Sequence, residues 1–269
     1  MAFDALPPIG LGTYRLKGDL ARNAVKSALS LGYRHIDTAQ IYDNEAEVGD
    51  GITSSGIPRR EIFVTTKIWY DNLHPDRLIQ SLQQSLERLK TDHVDLTLVH
   101  WPSPESAVPM ADYLAALSEA QREGMTDHIG VSNFTVAQLN EARAILGDNR
   151  IFTNQVEVHP FLANRRLVDH SQTLGIPVTG YMPLAVGRVM ENEVLAHLGR
   201  KRNRSAAQIA LAWVASRGVI PIPSSTRPDH LKANLSALEL QLTPEEMNAI
   251  DALDRGERLA NPSFAPDWD

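Results

Sequence analysis

Four polar residues sit where short apolar runs end. Asp37 closes Tyr33-Arg34-His35-Ile36-Asp37, Lys67 closes Phe63-Val64-Thr65-Thr66-Lys67, His100 closes Leu96-Thr97-Leu98-Val99-His100, and Tyr42 follows Asp37 by five residues. Taken singly, each has an ordinary explanation: Asp37 can cap a helix, Tyr42 can be a packed aromatic with a satisfied hydroxyl, and His100 can be structural. Lys67 is harder to place that way, because a lysine that terminates a buried strand needs a carboxylate to hold its charge, and Asp37 is the natural partner. Brought together, the four suit the delivery of a proton to a carbonyl oxygen while hydride reaches the carbonyl carbon. A tyrosine hydroxyl titrates near ~10, and a nearby ammonium favours the phenolate, so Lys67 is expected to lower that value. Tyr42 is then the acid in reduction and the base in oxidation, Asp37 positions Lys67, and His100 orients the substrate oxygen.

No side chain carries a hydride, so this chemistry calls for a nicotinamide cofactor. Ser132 with Asn133, and Gln155, also stand at the ends of apolar runs, placed to hydrogen-bond a carboxamide, with Tyr181 placed to stack on the ring. Ser132-Asn133 reads equally as a turn leading to a helix cap before Thr135. A metal-dependent hydrolase using Asp37, His100 and His159 is the competing chemistry. It has no use for Lys67 or Tyr42, and paired histidines at short helical spacing are missing.

These residues share a site only if the segments that carry them lie side by side. Runs that read as buried parallel strands are Ile9 to Gly12, Tyr33 to Asp37, Ile62 to Thr66, Val94 to Val99, His128 to Val131, Ile151 to Gln155, Pro177 to Gly180 and Gly218 to Ile222. Helical spacing lies between them: Leu20, Ala24, Ala28 and Leu31 on one face, Leu78, Leu82, Leu86 and Leu89 on another, then Leu139 to Leu146, Leu167 to Leu174, Ala206 to Val214 and Met247 to Leu253. Gly32, Gly56 with Pro58, and Thr243-Pro244-Glu245-Glu246 supply stop and start signals. Strand ends recur at roughly 24 to 42 residues, the length of one βα unit. Eight such units predict an α/β fold of the (β/α)8 TIM-barrel type, in which strand ends meet at one mouth. An open doubly wound sheet would need a Gly-x-Gly-x-x-Gly turn, and Gly10-Leu11-Gly12 lacks the third glycine.

The 269 residues contain no linker or low-complexity stretch, so residues 1–269 read as one barrel domain. The tail 255–269 reads as an irregular loop that packs back over the mouth with Phe264, Pro266 and Trp268. The hydrophobic share of 43% suffices for a large core. A net charge of −7, without a dense Lys/Arg block, argues against nucleic acid as a partner. The start lacks a charged and apolar leader, and no run of about 18 apolar residues occurs, so a cytoplasmic protein with no membrane association is expected. With no cysteine, thiolate nucleophiles and disulfides are excluded.

The motifs Gly10-Leu11-Gly12-Thr13-Tyr14, Gly32 to Ala39 with Tyr42, Thr66-Lys67-Ile68-Trp69, Leu98-Val99-His100-Trp101-Pro102, Gly130 to Phe134, Asn154 to Pro160 and Tyr181-Met182-Pro183-Leu184-Ala185 cover nearly the whole chain. In order and spacing the sequence resembles the aldo-keto reductases. It is most similar to short bacterial members, which share the Ala39-Gln40 pair before Ile41 to Glu45. The resemblance implies a monomeric, NADP(H)-preferring reductase, with NAD(H) also accepted, that acts on a small-molecule carbonyl substrate: keto-sugars such as 2,5-diketo-D-gluconate, methylglyoxal and other aldehydes. It assigns Asp37, Tyr42, Lys67 and His100 as the catalytic tetrad, and Ser132, Asn133, Gln155 and Tyr181 as holding the nicotinamide. Gly12, Thr13, Asp37 and the backbone at Pro183 and Leu184 would line the cofactor, and Ser225, Thr226, Arg227, His230 and Asn234 would take its adenosine end.

One segment departs from the family pattern. Where many relatives carry Lys-Ser followed by Arg to grip a 2′-phosphate, this sequence has Ser224-Ser225 and His230, leaving Arg227 as the permanent cation. Two hydroxyls, Thr226 and one guanidinium can still bind a phosphate. By position, Tyr14, Trp69, His100 and Trp101 form the substrate pocket, closed by Phe264 and Trp268, and the short tail suits small polar substrates. Some relatives serve as regulatory subunits or sensors that bind the cofactor with little turnover, which is the alternative reading.

Overall fold

A computed structural model describes residues 4–147 and 151–269. Among them, eight strands pair in sequence order, every neighbouring pair parallel: β1 (Leu11–Gly12), β2 (His35–Asp37), β3 (Phe63–Ile68), β4 (Val94–Val99), β5 (Thr126–Ser132), β6 (Ile151–Glu157), β7 (Val178–Tyr181) and β8 (Val219–Pro221). The sheet closes on itself, since Gly10 N donates to Pro221 O and Gly12 N to Pro223 O, both at 3.0 Å. The expected (β/α)8 barrel is the observed architecture. Glycine is what lets the first strand in: a Cβ on Gly12 would lie 2.8 Å from Ile222 O, and one on Gly10 2.6 Å from His35 Nδ1.

The helices are α1 (Gly18–Leu31), α2 (Glu45–Thr53), α3 (Pro75–Leu89), α4 (Met110–Arg122), α5 (Val136–Leu146), α6 (Arg165–Thr173), α7 (Glu193–Arg202), α8 (Ala206–Ser216), α9 (Pro228–Ser236) and α10 (Pro244–Asp251). In α3 the local causes are plain. Pro75 presets the first turn, Leu78, Leu82, Leu86 and Leu89 form the buried stripe, and Lys90 closes the helix at φ 57°. In α1 the buried stripe is Ala21, Ala24, Val25, Ala28 and Leu29, whereas Leu20, expected on that face, is 63% exposed. It precedes the stripe by one residue, which turns it about 100° away. Gly32 ends α1 at φ 109°, and Thr243 with Glu246 forms a capping box around Pro244 at the start of α10. Sequence periodicity did not mark α4, α7 or α9. The last two bury few residues, Leu195, Leu198 and Gly199 in α7 and Leu231 and Asn234 in α9, too few to write a stripe. The long interval before β8 holds both α7 and α8.

Side chains pointing outward from the strands pack on the helices in two clusters of core, one with residues such as Ile36, Val64, Val99 and Val131 and the other with Val156, Val178 and Val219. Inward-pointing positions alternate with these. Phe63 and Leu96, two residues per step below Lys67 and His100, pack with Leu98, Leu6 and Phe152 as an apolar floor. The same alternation that makes the floor apolar delivers Asp37, Lys67 and His100 to the mouth. The tail 255–269 contains no helix or strand. No helix among the described residues is long and apolar enough to cross a membrane.

Candidate active site

Strands β2, β3 and β4 end side by side, and Asp37, Lys67 and His100 from their ends gather at one mouth with Gln155 of β6. Lys67, fully buried, donates from Nζ to Asp37 Oδ1 at 2.5 Å, to Thr38 O at 2.8 Å and to Tyr42 Oη at 3.3 Å. An ammonium has three donors, so all three are used. The other carboxylate oxygen of Asp37 accepts from Gln155 Nε2 at 2.7 Å. Tyr42 rides on a single 3-10 turn, Gln40–Tyr42, directly after β2. Its ring meets that of His100 edge-on, with centroids 5.6 Å apart.

Three residues that support this arrangement carried no role in the sequence reading. Gln40 uses its whole amide: Nε2 donates to Ser81 and Ser85 Oγ, and Oε1 accepts from Trp69 N at 3.0 Å and Asn72 Nδ2 at 3.1 Å. It thereby ties the Tyr42 turn to Trp69 and α3. Asn44, buried, accepts from Thr38 Oγ1 at 2.7 Å and donates to Thr13 O and Leu16 O, both at 2.9 Å. Glu45 accepts from Thr66 Oγ1 at 2.6 Å and from Arg88 Nε at 2.8 Å, which pins the start of α2 to β3. The signal was present, since all three lie in the run Ala39 to Glu45, but a polar residue on a turn says nothing about its distant partner.

The electrostatics correct one expectation. Tyr42 is held well above the ordinary tyrosine value, first by loss of solvent around its hydroxyl and then by the charge of Asp37 and by Tyr14. The ring edge is half-exposed, but the hydroxyl lies at the cleft floor against Lys67. Lys67 does not pull it down on balance, because its charge is taken up by Asp37 at the shorter distance. Lys67 itself is lowered by burial, against the raising effect of Asp37. His100 lies well below the usual imidazole value, through burial and then Lys67, and is therefore neutral. The site rests as a protonated tyrosine beside a neutral histidine.

A cleft of about 1110 Å³ runs over these residues. That exceeds the ~300–1,000 Å³ of an ordinary small-molecule pocket and has room for a dinucleotide with a small substrate. Gly12, Asp37, Asn133, Gln155, Tyr181, Pro183, Leu184, Ser225, Thr226, Arg227 and His230 all line it. Asn133, at φ 62°, accepts from Tyr181 Oη at 2.8 Å and donates to His100 O and Ser132 Oγ, so its orientation is fixed. The donor set fits a nicotinamide: amide groups at Asn133 and Gln155, a ring at Tyr181, and at the far end hydroxyls and Arg227 leading into α9. Arg227 pairs with Asp229 at 2.7 Å, yet both are largely exposed, so the pair is weak and a phosphate can compete for it.

Five sequence assignments are not on the cleft wall. Lys67 is fully buried behind it, bound to Asp37 and Tyr42. Thr13 donates both N and Oγ1 to Asp37 O, Ser132 Oγ donates to Gln155 O at 2.7 Å, and Asn234 is buried against Tyr33. Trp268 stands behind the wall: its ring meets that of Trp101 edge-on at 6.0 Å, Nε1 donates to Asn261 Oδ1 at 2.8 Å, and Arg258 lies 3.6 Å over its ring. Residues that line the cleft without having been assigned to it include Arg15, Ile41, Met182, Val186 and Met190. At the Tyr42 end the wall is aromatic. Tyr14 packs on Tyr42, and Phe264 sets its ring edge-on to Trp69 at 5.8 Å and to Trp101 at 5.5 Å. Leu259, Ala260, Asn261 and Pro262 of the tail complete that wall. No group of His, Asp and Glu among the described residues is arranged to hold a metal ion, and His159 is occupied with Glu157.

A parallel barrel whose mouth joins a lysine-bound tyrosine, a neutral histidine and a dinucleotide-sized cleft belongs to the class of nicotinamide-dependent barrel oxidoreductases. The chain belongs to the aldo/keto reductase family, whose sequence profile matches residues 8–255. It is similar to methylglyoxal reductase DkgB of Escherichia coli O157:H7, at 51% identity over 266 residues, 98% of this chain and 100% of that protein. It is also similar to glyoxal reductase of Bacillus subtilis (strain 168), at 39% identity over 261 residues, 96% of this chain and 92% of that one. A crystal structure provisionally described as 2,5-diketo-D-gluconic acid reductase B superposes with a TM-score of 0.94 at 43% identity, over 98% of this chain and 94% of that one. The chain is thus an oxidoreductase of a family that uses NAD(P)H, and its reaction class is carbonyl reduction.

Proposed function

We propose that this protein is an NADPH-dependent reductase of small aldehydes and ketones, with methylglyoxal and keto-sugars such as 2,5-diketo-D-gluconate as its substrates and Tyr42 as its proton donor. The observation that carries the reading is the chain of contacts Gln155, Asp37, Lys67, Tyr42, each within hydrogen-bonding distance of the next. A reduced nicotinamide, when bound, supplies the hydride.

The protein's own part is acid catalysis and orientation. Tyr42, kept protonated, gives its proton to the carbonyl oxygen. Lys67 donates to Oη, so the phenolate that forms is met by an ammonium already in place. Asp37 keeps that ammonium charged in a buried setting, and Gln155 fixes the second oxygen of Asp37. His100, being neutral, has an N–H to offer the substrate oxygen without competing as an acid. Trp69, Trp101 and Phe264 exclude water around that oxygen.

The preference for NADPH rests on Ser225, Thr226, Arg227 and His230 immediately at or before the first turn of α9, where backbone N–H groups also favour an anion. Similarity to the two glyoxal-type reductases supports the substrate class and does not favour a sensor role. The test is steady-state oxidation of NADPH and NADH by the purified protein against methylglyoxal, 2,5-diketo-D-gluconate and benzaldehyde. Turnover with NADPH on the first two is expected; binding of cofactor without turnover on any carbonyl would refute the reading.

A further inference from the structure

The segment Asn154 to Pro160 contributes only Gln155 to the site described so far. Two residues beyond it on β6, Glu157 is fully buried and takes no part in proton transfer. Its surroundings are specific. Phe161 N donates to His159 Nδ1 at 3.3 Å, so that nitrogen is the acceptor and Nε2 carries the proton. His159 Nε2 then donates to Glu157 Oε1 at 2.8 Å. The remaining capacity of the carboxylate is met by the tail: Leu259 N donates to Oε1 and Ala260 N to Oε2, both at 2.8 Å. A buried carboxylate is stable only when such donors are in place, so the position of the tail and the burial of Glu157 depend on each other.

The loop after β6 reinforces the same grip. Phe161 O accepts from Arg255 N and Glu257 N, at 3.2 and 3.0 Å, and the Arg255 guanidinium lies 4.4 Å from the centre of the Phe161 ring. Leu259 and Ala260 are the first tail residues on the cleft wall, and Asn261, Pro262 and Phe264 follow. The next fixed point is Asp269, whose Oδ2 accepts from Val136 N at 2.8 Å at the start of α5. Between these anchors the tail has no strand or helix to hold it.

We propose that Glu157 is a positioning residue for substrate affinity and selectivity, a buried carboxylate that latches the C-terminal loop across the mouth and so sets Phe264 against Trp69 and Trp101. This rests on the reading of that aromatic wall as the substrate side of the cleft.

Full-length wild type, Glu157→Gln and Ala260→Pro are compared by amide hydrogen exchange, NADPH affinity and steady-state kinetics with methylglyoxal. The glutamine keeps the shape but turns one acceptor into a donor, and the proline removes one tail N–H while leaving the carboxylate in place, so either variant reports if the other fails to fold. Expected are faster exchange at the backbone amides near 259–260, a KM for methylglyoxal raised about tenfold, kcat changed less than about threefold, and an unchanged Kd for NADPH. Unchanged exchange with unchanged KM would overturn the latch and leave the reductase reading intact. Faster exchange with unchanged KM, or an equal loss of NADPH affinity, would overturn the role in substrate selection. If the wild type reduced no carbonyl compound, the reductase reading would fail, while the exchange arm would still decide the latch.

Discussion

The Nζ of Lys67 lies 3.3 Å from the hydroxyl of Tyr42, with its shorter bonds going to Asp37 at 2.5 Å and Thr38 at 2.8 Å. The lysine therefore stands ready to receive a phenolate without creating one in the resting site. Burial of the hydroxyl, and then the charge of Asp37, hold Tyr42 above its ordinary pKa despite the adjacent ammonium.

The pH dependence of reduction follows. The reactive form of Tyr42 is the acid, and a pKa raised above ~10 keeps that form populated until strongly alkaline pH. His100, displaced well below ~6.5, is already neutral at mildly acidic pH. The kcat for reduction is expected to be flat from about pH 6 to about pH 9. An inflection near neutrality in a kcat profile would contradict the assignment of these states.

The pair Asp37–Lys67 also bears on stability. Lys67→Met leaves a buried carboxylate without its counter-ion and is expected to cost about 3–5 kcal/mol in urea unfolding, with much of that recovered when Asp37→Asn is added. Equal and additive losses from the two single changes would show that the residues do not act as a pair.

Much of this site was legible in the sequence because barrel geometry turns strand ends into neighbours. Asp37, Lys67 and His100 were found as polar residues closing apolar runs, and the structure joins them. What failed to show were contacts between residues distant in the chain. Gln155 reaches Asp37 across 118 positions, and Glu157 binds the tail 102 and 103 positions away. Periodicity misplaced Leu20 by one residue. It also could not tell that Trp268, unlike Phe264, backs Trp101 and Arg258 from behind the cleft wall rather than lining it.

His35 gives a separate acid sensitivity. Buried beneath the site and hydrogen-bonded to Thr65, it is depressed to about 4, chiefly by burial. The unfolded chain takes up the proton at ~6.5, so stability is complete above that pH and is lost as pH falls toward about 4, by on the order of 3 kcal/mol. Unfolding titrations should show this slope, and His35→Gln should reduce it. An identical slope in the variant would place the sensitivity elsewhere.

Cofactor choice depends on the exposed end of the cleft. Arg227→Ala is expected to raise the KM for NADPH about tenfold and that for NADH less than about twofold, since only the former presents a 2′-phosphate to the guanidinium. Equal effects on both cofactors would remove Arg227 from phosphate recognition.

The most direct test is a single-turnover reaction of Tyr42→Phe with saturating NADPH and methylglyoxal, followed by the loss of reduced-nicotinamide absorbance. The account predicts a rate lower by about 10²–10⁴-fold with NADPH affinity unchanged, because the ring remains and only the proton donor is gone. A rate equal to that of the wild type would show that the proton comes from another group.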